Sequence, residues 1–102
     1  MQEEWPVTEI RFSNASLVDL ANIEEYTTIT WGIEQTNRYL KQLESRLYWL
    51  AEQPQRGRRR GEIAEGLFSF PEGRHMIYYR AYDGVMEVAR ILHCNMDVDQ
   101  QL

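Results

Sequence analysis

Between Phe12 and Gln53 apolar side chains return every three or four residues, whereas beyond Gly61 they tend to return every second one. That change of period divides the chain into a helical front half and a strand-forming back half. Ahead of the helices, the stretch from Val7 to Phe12 alternates enough to form a short strand. Ser13 and Asn14 follow, residue types whose side-chain oxygens cap the first N–H groups of a helix. Leu17, Leu20, Ile23 and Tyr26/Thr27 then recur at helical spacing up to Trp31, and Gly32 supplies the left-handed stop a helix end commonly needs. Leu40, Leu43, Leu47 and Leu50 make a second stripe, which Pro54 ends near Gln53. A connection this short forces the two helices into an antiparallel hairpin. Trp31 and Trp49, on amphipathic helices, are expected in the core; Trp5 is too far from the periodic segments to assign.

Gln55 to Gly61 is expected to be a loop, with Arg56 and Arg58 to Arg60 solvated. Leu67 to Phe70 is a predicted strand, Pro71-Glu72-Gly73 a turn, and His75 to Arg80 a strand. Asp83-Gly84 is a strong hairpin signal before the last strand, Val85 to Leu92. The expected fold class is α+β: an N-terminal strand and an antiparallel two-helix hairpin packed on one face of a small antiparallel β-sheet. One domain spans residues 1–102, with 1–6 and 94–102 as tails. In the last strand, strict alternation puts Val85, Glu87, Ala89 and Ile91 on one face and Met86, Val88, Arg90 and Leu92 on the other. Both faces are largely apolar, although a sheet with one wet face should alternate more clearly. Two helices cover one face, so the other is expected to be a binding groove filled by another chain.

Composition narrows the choice of partner. The chain carries a net charge of −5, which makes it a poor general binder of nucleic acid. Through Gln53 there are nine acids against four bases, while the remainder has seven of each. Lys41 is the only lysine, and the predominance of arginine favours forked, hydrogen-bonded recognition of a protein partner. Arg74, Arg80 and Arg90 could form a cationic patch near the sheet or pair with acids such as Glu87. No apolar run approaches the roughly 20 residues of a membrane span, and the opening residues are not those of a signal peptide. The single cysteine, Cys94, has no internal partner and is expected to be a small, near-buried filler. No metal and no cofactor are expected, and the plain expectation is a cytoplasmic protein.

The residues Arg58, Glu62-Ile63, Gly66-Leu67, Ser69-Phe70-Pro71, Gly73-Arg74-His75, Ile77, Tyr79-Arg80, Asp83-Gly84-Val85, Val88, Arg90-Ile91-Leu92-His93 and Met96-Asp97, in this order and spacing, resemble the ParE branch of the RelE/ParE toxins. Asp19-Leu20, Ile23, Tyr26, Trp31-Gly32, Gln35, Tyr39, Leu40 and Leu50 agree, so the resemblance runs from about Phe12 to Asp97. One position departs: between Gly66-Leu67 and Ser69 the family is often basic, and here stands Phe68.

The resemblance implies the RelE/ParE-like fold and the toxin component of a type II toxin–antitoxin system, of the kind that serves plasmid maintenance. It implies a protein that poisons DNA gyrase by direct binding. It also implies a ParD-like ribbon-helix-helix antitoxin whose tail wraps the toxin in a hetero-oligomer, reaching operator DNA only through the antitoxin. Candidate target contacts are Arg58, Arg74, His75, Arg90, His93, Met96 and Asp97. Candidate antitoxin contacts are Met86, Val88, Arg90 and Leu92.

Catalysis is not expected. Related ribonucleases use lysine, arginine and a tyrosine or histidine near the C-terminus, but no lysine follows Lys41 and no tyrosine or base follows His93. The alternatives are a RelE-like ribosome-dependent mRNA endonuclease, with His93 as acid or base, and a degenerate, non-toxic member acting only as antitoxin partner and co-repressor.

Overall fold

The computed structural model describes Val7 and residues 9–96. Strand β1 (Glu9–Phe12) leads into helices α1 (Asn14–Trp31) and α2 (Ile33–Glu52), then a short 3-10 turn (Pro54–Arg56). Four strands complete the chain: β2 (Arg58–Arg59), β3 (Phe68–Glu72), β4 (His75–Tyr82) and β5 (Val85–His93). They form one five-stranded sheet in the order β1-β5-β4-β3-β2. The α+β class and the helix hairpin hold, but the sheet is mixed. Strand β1 lies parallel to β5, Glu9 opposite Val85 and Phe12 opposite Val88. The path out through two helices and back through a meander brings the last strand beside the first in the same direction.

Ser13 fixes where α1 begins and how it sits on the sheet. Its hydroxyl accepts the Ser16 N–H at 3.0 Å and donates to the Ala89 carbonyl at 2.7 Å. Gly32 separates the helices at φ +92°, a conformation that penalises any side chain. The stripe α1 buries is Ser16, Asp19, Ile23 and Thr27. Leu17 and Tyr26, expected in that stripe, are 50% and 63% exposed. The shift arises because α1 approaches the sheet through hydrogen-bonding residues rather than through its most apolar line. On α2 the expected stripe holds, with Leu43, Leu47 and Leu50 buried and Leu40 packed beside them.

The main core joins those leucines to Phe68, Ile77, Tyr79, Met86, Val88 and Ile91 of the sheet. A second, smaller core lies elsewhere, where Ile63 and Ala64 of the 61–66 segment pack on Leu67, Tyr78 and Leu92. That segment covers part of the surface expected to be open.

Strict alternation in β5 also fails. Tyr78 pairs with Arg90 and Tyr79 with Val88, which leaves Ala89 as an extra residue in a bulge. The bulge shifts the phase, so Ile91 joins Met86 and Val88 in the main core.

The expected arginine loop is also more ordered than a solvated segment. Arg58 and Arg59 pair with β3. Arg56 lies over the Trp49 ring at 4.3 Å and donates to the Trp49 carbonyl. Arg60 donates to Ser69 Oγ and pairs with Glu62 at 2.8 Å. Tyr79 closes this end, its buried hydroxyl donating to the Pro54 carbonyl.

Candidate functional site

Where α1 and the start of α2 diverge from the ends of β4 and β5, they leave an open groove of about 680 Å³. Arg74, His75, Arg90, His93 and Met96, five of the seven expected target contacts, line it together. Arg58 does not, being exposed on β2 at the edge of the sheet, and Asp97 lies outside the described residues. Of the expected antitoxin contacts, Arg90 and Leu92 reach the groove. Met86 and Val88 are 0% exposed beneath the helices, so no partner can touch them in the folded chain.

Sequence reasoning missed the helical wall. Ile23, Tyr26 and Trp31 give it an apolar surface, and Asp19 gives it a carboxylate. Trp31, expected in the core, is 54% exposed. It is the platform for Arg74, whose guanidinium lies 5.2 Å above its ring. The readable signal was the run Ser16, Asp19, Ile23, Thr27, a helical spacing that is polar at three of four positions. Polar residues on an inward stripe must find buried partners.

Asp19 has found them. Its two carboxylate oxygens take the Arg90 guanidinium at 2.8 Å each, and Oδ2 also accepts the Ile91 N–H at 2.9 Å. The forked bond to Asp19 raises the Arg90 pKa, and the pair fastens α1 to β5 just past the bulge. Of the two expectations for Arg90, a cationic patch or pairing with an acid such as Glu87, the second is nearer, but its acid is Asp19, across the sequence. Arg80 donates to the Glu65 carbonyl at 3.3 Å, away from the groove. Among the described residues Arg74 has no carboxylate partner.

The polar end of the groove is organised by Tyr39 of α2. Its hydroxyl accepts the Arg74 N–H at 3.0 Å and stands 2.6 Å from His75 Nδ1 and 3.1 Å from the Glu72 carbonyl. The phenol is pushed to higher pKa, first by burial. The β3–β4 turn, Gly73-Arg74, is thereby pinned to the helix. A β-carbon at Gly73 would stand 2.5 Å from the Tyr39 ring, so the phenol can approach only glycine there.

His75 meets His93 edge-on, centroids 5.5 Å apart. Burial, reinforced by the nearby His93 and Arg74, pushes the His75 pKa down to about 4, so the ring is neutral at pH 7. His93 Nδ1 accepts the Asn95 N–H at 3.1 Å. Cys94, expected near-buried, is exposed, because the chain leaves the sheet at that point.

A shallower hollow lies beside Lys41, Arg46 and Trp49. There Arg46 is paired to Glu72 at 2.8 Å and stacked on Trp49, so its charge is already neutralised. Phe68, the departure from the family pattern, stacks on Tyr79, and the Arg59 guanidinium stands 5.3 Å over its ring. A cation therefore remains at this place, supplied by the neighbouring strand. No helix among the described residues is long and apolar enough to cross a membrane.

Comparison with known proteins follows the same lines. A family model described as the ParE toxin of type II toxin–antitoxin system, parDE, matches residues 10–98. Toxin ParE1 of Mycobacterium tuberculosis is 35% identical over 91 residues, covering 88% of this chain and 93% of the relative. Toxin ParE1 of Caulobacter vibrioides is 31% identical over 93 residues, covering 90% and 95%. Among solved structures, a chain of the chromosomal ParDE TA system from P. aeruginosa superposes with a TM-score of 0.72 at 13% identity, over 87% of this chain and 98% of that one, a likeness of fold.

Proposed function

This chain belongs to the ParE toxin family of type II toxin–antitoxin systems, and we propose that it acts in the cytoplasm by binding DNA gyrase, without catalysis, until a ParD-like antitoxin covers it. The observation that carries this reading is the groove, open, apolar along its walls and polar at one end. Such a surface receives a segment of another protein. An antitoxin tail lying in it would mask Arg74, His93 and Met96, so neutralisation follows from occlusion of the target contacts.

The nuclease alternative needs a base for the 2′-hydroxyl, an acid for the leaving oxygen and cations for the developing phosphate charge. The groove holds histidines, but its other groups are engaged. Arg90 is gripped by Asp19, and the Tyr39 hydroxyl is shared among Arg74, His75 and Glu72. Arg74 alone is left to meet a phosphate, which supports binding over turnover.

The test is a supercoiling and cleavage-complex assay with purified gyrase, with and without a cognate ParD-like antitoxin. The expected result is accumulation of broken DNA that the antitoxin prevents. Primer extension on translated messages should show no codon-site cuts; cuts that disappear in His93→Ala would overturn the reading in favour of a nuclease.

A further inference from the structure

The polar end of the groove is made almost entirely of donors. Arg74 stacks one face of its guanidinium on Trp31, which leaves the N–H edges to donate. His93 accepts the Asn95 N–H at Nδ1, which leaves its ring N–H at Nε2. Tyr39 accepts from the Arg74 backbone and donates to the Glu72 carbonyl at 3.1 Å, and His75 Nδ1 stands 2.6 Å from the same hydroxyl. Asp19 is the only carboxylate among the described lining residues, and Arg90 and the Ile91 N–H occupy it.

We propose that Arg74 and His93, beside His75, form a carboxylate-recognition subsite, which takes one Asp or Glu side chain of the antitoxin segment lying in the groove. This rests on the reading of the groove as the antitoxin's seat and says what chemistry anchors it there. An arginine fork and an imidazole N–H suit a carboxylate, because charge-assisted bonds are shorter and stronger than neutral ones. The neighbouring walls, Ile23, Tyr26, Ile91 and Met96, would hold the apolar residues on either side of that acid. A nucleic-acid strand fits less well. Its successive phosphates call for a row of cations, whereas the groove offers Arg74 in a chain of net charge −5. The low proton affinity of His75 has a related origin: burial first, then the neighbouring His93 and Arg74, outweigh the one nearby anion, Asp19.

The experiment measures the affinity of the full chain for its cognate ParD-like antitoxin, using Arg74→Gln, His93→Gln and Tyr26→Ala. It also follows the histidine ring signals by NMR through a pH titration. Arg74→Gln and His93→Gln should each weaken the complex about 10- to 100-fold, the range for losing a hydrogen bond to a charged group. One acidic position in the antitoxin tail, changed to its amide, should give a loss that is not additive with Arg74→Gln. In the complex the His75 ring should titrate at higher pH than in the uncomplexed chain, since a carboxylate beside it favours its protonation.

If Tyr26→Ala weakens binding while both polar variants stay within about threefold of wild type, the antitoxin sits in the groove and the carboxylate subsite is wrong. If none of the three weakens it, the groove is not the antitoxin's seat, and the reading beneath the proposal fails too. If Arg74→Gln abolishes binding of a short single-stranded DNA and leaves the antitoxin complex intact, the subsite serves phosphate and the proposal is overturned.

Discussion

Asp19 carries more of the structure than its residue type announces. An aspartate on an inward helical stripe is tolerable only when every carboxylate oxygen is used, and here Arg90 and the Ile91 N–H use them. Asp19→Ala strips a largely buried guanidinium of its counter-charge and a buried N–H of its acceptor. It should lower stability by about 3 kcal/mol, the scale for removing one member of a buried pair. Asp19→Asn keeps an acceptor for Ile91 and should cost less; urea unfolding of both variants checks the order. His75 sets a second expectation. Its folded pKa, about 4, lies below the ordinary histidine value, so between about pH 6.5 and pH 4 the unfolded chain binds the proton more readily. The contribution of His75 is therefore fully present above pH 6.5 and declines as pH falls through that window. Carboxylates titrate over part of the same range, so the informative comparison is with His75→Gln. The melting temperature of the wild type should fall more steeply from pH 6.5 to 4 than that of the variant. Parallel curves would show that the ring is not held neutral.

Among the elements, the β3–β4 turn and the β5 bulge do most to build the groove. Gly73 sits at φ +59° with the Tyr39 ring against it. Gly73→Ala must both adopt a strained backbone and push the phenol away, at a cost of about 1–3 kcal/mol. It should also detach Tyr39 from His75, which a change in the His75 ring signals would report; unchanged signals would mean that the turn is held by something else. Much of this architecture was legible in the residues. The α2 leucines, the cap at Ser13, the Asp83-Gly84 hairpin and the gathering of Arg74, His75, His93 and Met96 all follow from local pattern or family likeness. What escaped has physical causes. A bulge is one extra residue whose effect depends on the partner strand, so nothing in Val85 to His93 alone announces that Ala89 breaks the alternation. The parallel pairing of β1 with β5 is a contact between the two ends of the domain, and no local period encodes it. Trp31 looked like core because its size favours burial, but it lies in the last turn of α1, beyond the buried stripe, where Arg74 rather than the sheet meets it.

The division of labour across the molecule yields the last expectation. Among the described residues neither core reaches past Leu92: the larger closes on Leu43, Leu47, Leu50, Ile77 and Ile91, and the smaller on Leu67, Tyr78 and Leu92. Among the described residues after His93, the end of β5, the Cys94 N–H donates to the Arg74 carbonyl at 2.9 Å and the Met96 N–H to the His93 carbonyl at 2.9 Å, and of these only the first ties the segment to another element. Met96, 52% exposed, lines the groove and adds nothing to either core. A cut after Cys94 therefore keeps the bond that holds the Arg74 turn. It removes Met96 and the Asn95 N–H that orients His93. The shortened chain should melt within about 2 °C of the full one, because a loss well under 1 kcal/mol moves the midpoint of a domain this size no further. Its poisoning of gyrase should nevertheless fall at least about tenfold, the equivalent of one modest interface contact. Arg74→Ala, an exposed change, should behave likewise. Thermal melts beside supercoiling assays decide between the possibilities. A truncated protein that poisons gyrase as well as the full chain would mean that the C-terminal end of the groove is not the target-binding surface. One that unfolds would mean that the segment after Cys94 belongs to the scaffold.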